Sequence, residues 1–189
     1  MNRKWLGMAI VLAAVAAACG EGRVIFNVDV YSWLNGSVND TVPYAAPPLT
    51  VNFAVSNSAQ KINLVPGLGS SPIDTVRVSG SALVLNQSGG PGSLRFQVYL
   101  ASDSLGTYGA SKDSLFLTAP STNIAAGVSS QSLALVTSNL SPSGNALFSK
   151  SAIWIRMAGT ISNSGVAVMQ GKIVLTSLDL RVVVQDKIF

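Results

Sequence analysis

Leu94-Arg95-Phe96-Gln97-Val98-Tyr99-Leu100 alternates apolar and polar side chains at period two, so Leu94, Phe96, Val98 and Leu100 line one face and Arg95, Gln97 and Tyr99 the other. That is the grammar of a half-buried strand. Val24-Ile25-Phe26-Asn27-Val28-Asp29-Val30 repeats it, as do Leu49, Val51, Phe53 and Val55, and then Ile153, Ile155 and Met157. Clusters of Gly, Ser, Asn and Pro at 66–72, 88–92 and 141–145 interrupt the alternation and mark turns. Ser162-Asn163-Ser164-Gly165 separates two strand-like runs and predicts a hairpin between antiparallel neighbours. The final run, Val166 to Val184, is longer than a usual strand, which predicts one break. Gly171 is the candidate bulge, and Ser177 the candidate passage from one sheet to the other. Beyond a possible turn near Ile124-Ala125-Ala126, nothing after residue 22 carries a helical period. The expected fold is an all-β, antiparallel β-sandwich, Ig-like or jelly-roll-like, with about eight or nine strands over residues 23–189.

The amino-terminal segment obeys different rules. Arg3 and Lys4 precede an apolar stretch from Trp5 to about Val15, then Ala16-Ala17-Ala18 and the chain's single cysteine, Cys19. At 14 residues, the run 5–18 is shorter than the roughly 20 needed to span a bilayer. Basic start, short apolar run and small residues before a cysteine resemble the lipobox of bacterial lipoproteins, although Ala16 stands where that family most often has Leu. The resemblance implies a signal peptide over 1–18, cleavage before Cys19, and acylation of Cys19 on its sulfur and its new amino group. Residues 19–22 then form a short lipidated tether, and the implied address is the bacterial cell envelope. Gly20 stands where the inner-membrane retention signal of enterobacterial lipoproteins has Asp, so the outer membrane is expected.

Two fainter likenesses concern the rest of the chain. Residues 95–103, within a region from Leu94 to about Met157, resemble a strand of adhesion-type Ig-like modules of bacterial surface proteins, a likeness too short to transfer function. Phe189 resembles the terminal aromatic of outer-membrane barrels, but Lys187 stands where that family prefers an apolar residue, and the short runs and few aromatics favour the sandwich.

Composition excludes more chemistry than it suggests. The chain has no histidine, which removes the commonest general base, the Ser-His-Asp triad and nearly every zinc site. Without Arg3 and Lys4 the mature chain carries a net charge of about +2, its basic residues scattered singly (Lys61, Arg77, Arg95, Lys112, Lys150, Arg156), so nucleic acid is not an expected partner. The acids are Glu21 and seven widely spread Asp, read as solvated residues in preference to a glycosidase-like pair. Ser58-Ala59-Gln60-Lys61 matches a Ser-x-x-Lys pattern but links two strand-like runs and lacks the helix that would align Ser with Lys. Gly89-Gly90-Pro91-Gly92 lacks the Lys-Ser/Thr and the helix of a phosphate loop. Asn35, Asn39 and Asp40 offer oxygen ligands without the acidic density of a calcium loop.

What remains is a candidate surface. Trp154 and Arg156 alternate with Ile153, Ile155 and Met157, and Tyr99 and Arg95 alternate with the stripe that opened this section, so all four are expected to face outward. On one sheet they would form a Trp/Tyr/Arg patch of the composition favoured at interfaces or sugar platforms. The expected function is non-catalytic: a lipid-anchored envelope protein without cofactor or metal, serving as a structural or interaction module with an envelope protein as partner. The alternative is a module binding a glycan or a small ligand.

Overall fold

The computed structural model describes residues 22–34, 40–64, 73–88, 90–109, 115–136, 147–148 and 150–186. Cys19, the tether as far as Glu21, Asn35, Asn39, Lys187 and Phe189 lie outside that set. The described residues form two antiparallel sheets packed face to face. In the first sheet, β11 (Met169–Asp186) pairs along one edge with β5 (Ile73–Asn86), which in turn pairs with β9 (Ser129–Val136). Its other edge carries β1 (Gly22–Asp29) and β2 (Thr41–Ala46) end to end, with the one-turn helix α1 (Tyr31–Leu34) between them. In the second sheet, β10 (Ala152–Asn163) pairs with β6 (Gly92–Ala101). The outer edge of β10 holds β3 (Phe53–Ser56) and β4 (Gln60–Asn63), and that of β6 holds β7 (Leu115–Thr118) and β8 (Thr122–Ile124).

Eleven strands thus make eight ribbons, because three ribbons are each broken into two collinear pieces. The break between β3 and β4 is a local bulge: the Asn57 amide donates to the Met157 carbonyl (3.1 Å), while Asn57 Oδ1 accepts from the Met157 amide (2.8 Å). Numbered in chain order, the ribbons run 1-8-3-6 in one sheet and 2-7-4-5 in the other, the interleaving of a jelly roll and not of an Ig domain. Two separate sheets, each with free edges, also distinguish it from a closed membrane barrel.

The inner faces meet where the alternation placed them. Leu94, Phe96, Val98 and Leu100 from β6 and Ile153, Ile155 and Met157 from β10 are buried against Val76, Val78 and Val84 of β5 and Leu178, Leu180 and Val182 of β11. At 1.5–3 kcal/mol for each fully buried large aliphatic or aromatic side chain, this core is the dominant stabilising term in a fold with no disulfide among its described residues.

Four local expectations are corrected. Leu49 and Val51, expected on one strand face with Phe53 and Val55, lie in the loop before β3 and stand exposed, because the strand begins only at Phe53. Ser162–Gly165 does not join a hairpin: β10 and β11 lie in different sheets, and the turn carries the chain across the rim of the sandwich. Gly171 is not a bulge. It pairs regularly with Tyr44 and Asn86, and the missing side chain makes room for the Tyr44 ring, whose hydroxyl donates to the Leu85 carbonyl (3.2 Å). Burial pushes the Tyr44 pKa up from 10.0 to about 12. Ser177 is not a passage between sheets either, since β11 stays in one sheet throughout. One irregularity falls at Thr176, where inward parity switches from odd (Met169, Ile173, Leu175) to even (Leu178, Leu180, Val182), and a second register shift lies between Val183 and Val184. Ser81 Oγ clasps the first by hydrogen bonds shared with Thr176 Oγ1 (2.8 Å) and Ser177 Oγ (2.7 Å).

Candidate functional site

The sequence-derived patch does assemble on one sheet. Pairing sets Trp154 opposite Ala101 and Lys61, Arg156 opposite Tyr99, and Arg95 opposite Thr160. All lie on the outward face of the second sheet, as alternation requires. The patch is nevertheless covered at its centre. After β6 the chain folds back in a single 3-10 turn, Leu105–Thr107, stabilised by Asp103 Oδ1 accepting from the Gly106 amide (2.7 Å) and by Thr107 Oγ1 donating to the Ser104 carbonyl (2.7 Å).

That turn closes over Arg156. Its Nε and Nη2 both donate to the Thr107 carbonyl (2.8 and 2.6 Å), and its guanidinium lies 4.6 Å from the Tyr99 ring centroid and 4.4 Å from that of Tyr108. Only 7% of Arg156 stays exposed, so the expected outward arginine is instead a buried cation. Desolvation lowers its pKa from the ordinary value and the two tyrosines oppose that. Charge-assisted hydrogen bonds contribute about 1.5–3 kcal/mol and a desolvated cation–π contact about 2, enough to offset a desolvation cost of several kcal/mol. Arg156 therefore works as a latch that holds the 102–108 loop onto the sheet. Trp154 is half-buried and Arg95 exposed, roughly 13 Å of strand from Tyr99. The four residues share a face without forming one open platform.

A second polar cluster covers the first sheet. Asp29 and Asp179 are direct cross-strand neighbours, as are Arg181 and Arg77, and with Asn27 and Ser79 they line an open groove of about 490 Å³. Sequence reading took the carboxylates as widely spread, whereas pairing brings these two together. Both are exposed, without the enclosing pocket that a catalytic carboxylate pair uses. Ser58 and Lys61 sit on the exposed β3–β4 edge with no helix to align them. Asp40 Oδ1 accepts a hydrogen bond from Thr41 Oγ1 (2.9 Å), and among the described residues no three His, Cys, Asp or Glu side chains gather as metal ligands would.

The most constructed feature was missed by sequence reasoning. The β2–β3, β5–β6, β8–β9 and β10–β11 loops share one end of the sandwich, and two buried asparagines hold them there. Asn163 Nδ2 donates to the carbonyls of Ala46 (3.0 Å), Pro47 (3.0 Å) and Ala167 (2.8 Å), while its Oδ1 accepts from the Gly165 amide (2.9 Å). Asn86 Nδ2 donates to Gly90 (3.3 Å) and Ala125 (3.0 Å), and its Oδ1 accepts from the amide and hydroxyl of Ser88 (3.3 and 3.1 Å). Backbone bonds from Leu49 to Gly165, Asn163 to Thr50, Ser164 to Pro91 and Gly127 to Ser88 stitch loop to loop.

What this scaffold presents is apolar. Leu49, Val51, Val128 and Val166 are 70–88% exposed and Val168 is 44% exposed. Residues 47–52, 87–91, 125–128 and 164–168 include no Asp, Glu, Lys or Arg. Leu49 and Asn52 take left-handed backbone conformations (φ 55° and 58°), which for a bulky residue such as leucine stores strain. The available signal was leucine and valine within uncharged segments rich in Gly, Pro, Ser and Ala, although Leu49 and Val51 read in isolation as part of a strand face. That signal became legible only once topology brought the four segments to one end.

No family model matches the chain, and no curated protein matches it either. Among solved structures it is similar to chains from the structures of infectious bursal disease virus, Gx strain (10% identity, TM-score 0.40, 89% of this chain, 33% of that one) and Gt strain (12%, 0.41, 88% and 34%). The chain therefore spans about a third of those viral chains. It is also similar to TmCBM61, solved in complex with beta-1,4-galactotriose (8% identity, TM-score 0.32, 86% of this chain and 88% of that one). Likenesses at these scores say nothing of what this chain binds, and the sandwich rests on the sheet order above.

Proposed function

We propose that this protein is a non-catalytic, lipid-anchored interaction module of the bacterial envelope, probing its surroundings with the aliphatic loop end of the sandwich. The observation that carries the reading is the pairing of rigidity with exposure: buried Asn86 and Asn163 fix four uncharged loops, three of which hold aliphatic side chains in solvent. A monomer gains nothing by holding apolar side chains there, and exposed apolar patches of this kind mark contact sites. Polarity along the sandwich supports the anchor. Gly22 pairs with Asp186 at one end of β11, and the loop end lies beyond Met169 at the other, about 55 Å of strand away. A lipid on Cys19 would hold one end and leave the other for a partner. Gly20 favours the outer membrane as the site of anchoring.

Two measurements test it. Mass spectrometry of the protein from its native host should find an acylated Cys19 at the mature amino terminus, and Cys19→Ser should release the chain from membranes. Crosslinking in intact cells should capture an envelope protein, and Val166→Asp should abolish that capture. An unmodified Cys19, or capture indifferent to the loop tips, would reject the respective half of the proposal. A glycan-binding reading rests on Tyr108, which is 56% exposed while its ring is held by Arg156. It requires cell-wall sugars to shift the tryptophan fluorescence, through Trp154 on the same face.

A further inference from the structure

We infer that the occupant of the aliphatic loop end is a second copy of this chain, docked end to end. The inference deepens the function proposed above and rests on it. An isologous contact brings the residues nearest its two-fold axis against their own copies, so a charge there meets its like charge. This end has no charge in any of its four loops, so it can meet itself without that penalty. A different protein partner would gain specificity and steering from charge complementarity, which a surface of this kind cannot offer.

Area points the same way. At roughly 150 Å² per fully exposed aliphatic residue, Leu49, Val51, Val128, Val166 and Val168 present on the order of 500 Å², a patch of the size that often serves as a contact site. Exposed Pro47, Pro48, Ala125 and Ala126 extend it toward the ~800 Å² per partner of a standard interface. The asparagine scaffold lowers the ordering cost of association, since the loops are fixed beforehand. A bilayer surface is the poorer occupant, because these loops have none of the Trp, Tyr, Lys or Arg that anchor proteins at the lipid–water boundary.

End-to-end docking places the two Gly22 positions at opposite ends of an assembly about 110 Å long. Both lipids reach one bilayer when the long axis lies in the membrane plane, and the tether after Cys19, roughly 14 Å long, is short enough to keep it there.

The test uses the full chain in native membranes, with a cysteine introduced at Val166 or at Val128 and a short bismaleimide crosslinker. A dimer-sized band is expected from both variants, and none from the unsubstituted chain or from Lys61→Cys on the outer face of the second sheet. Adding Leu49→Asp, which leaves the core untouched, should reduce the band at least about tenfold by placing an unpaired carboxylate in the contact. Absence of the dimer from both positions overturns the inference. If a different envelope protein is then captured in a Val166-dependent way, the interaction module stands and only its occupant was wrong; if none is, both fall. Flotation of the Cys19→Ser chain on phosphatidylcholine vesicles that is lost on Val166→Asp would name lipid as the occupant and equally overturn the second copy.

Discussion

Replacing Asn163 by alanine tests whether the loop end is held from within. The side chain is 2% exposed and makes four hydrogen bonds, three donated to carbonyls and one accepted from an amide. Truncation removes one partner from each, the carbonyl of fully buried Ala46 among them. At about 1 kcal/mol net per ordinary hydrogen bond, with water recovering the more exposed partners, the loss should be about 3 kcal/mol. With a urea m-value of about 2 kcal/mol/M, the unfolding midpoint should fall by about 1.5 M at unchanged m, and Tm should fall by about 6–12 °C. Asn123→Ala, at an exposed position of β8, should change the midpoint by less than about 0.25 M. If Asn163→Ala behaves like Asn123→Ala, the asparagine is not a scaffold and the rigidity ascribed to the loop end is wrong.

Further outcomes follow from other contacts. Arg156→Lys keeps the charge but not the paired bonds to Thr107 or the planar stacking between two rings, and should cost about 1–3 kcal/mol with increased proteolysis at 102–108. Gly80→Val should destabilise by about 1–3 kcal/mol, because even a Cβ there sits 2.7 Å from the Ser177 carbonyl at the Thr176 bulge. Tyr44 titrates near 10 when unfolded and near 12 when folded, so its contribution is complete below pH 10 and is lost as pH rises toward 12, on the order of 2–3 kcal/mol in all. Tyr44→Phe should flatten that part of the stability profile in denaturation measured from pH 9 to 12. Inserting about 20 Gly/Ser residues after Gly20, ahead of β1, should increase protease access near Arg23 if a short tether holds the domain against its membrane.

The strand faces were legible because period two is imposed by the backbone alone. Phe96 and Ile155 could be assigned to the core with no knowledge of their neighbours. The bulge at Thr176 left a mark as well, in the parity switch between Leu175 and Leu178, but glycine drew the reading to position 171 instead. What could not be read was anything requiring a distant partner. A turn signal at 162–165 says that the chain reverses, not which sheet receives it, and Asn163 meets Ala46 and Pro47 across more than a hundred residues. Alternation gave Arg156 the right face and could not foresee the loop that folds down on it. The aliphatic loop end escaped for the same reason: its exposed side chains are spread over three segments, and in isolation Leu49 and Val51 read as part of a strand face and Val166 as the start of a strand.

The pairing of β1 with β11 governs how the domain would bear a pull. β1 enters at the Asp186 end and runs toward Asp179 through eight register pairs, so tension on Gly22 away from the loop end acts along the strand axis. The ladder is then loaded in shear, all of its bonds sharing the force at once, whereas a pull across the edge would unzip them one at a time. A domain tethered through that strand should be stiff along its length and weak sideways, and its rupture force should depend on the direction of loading.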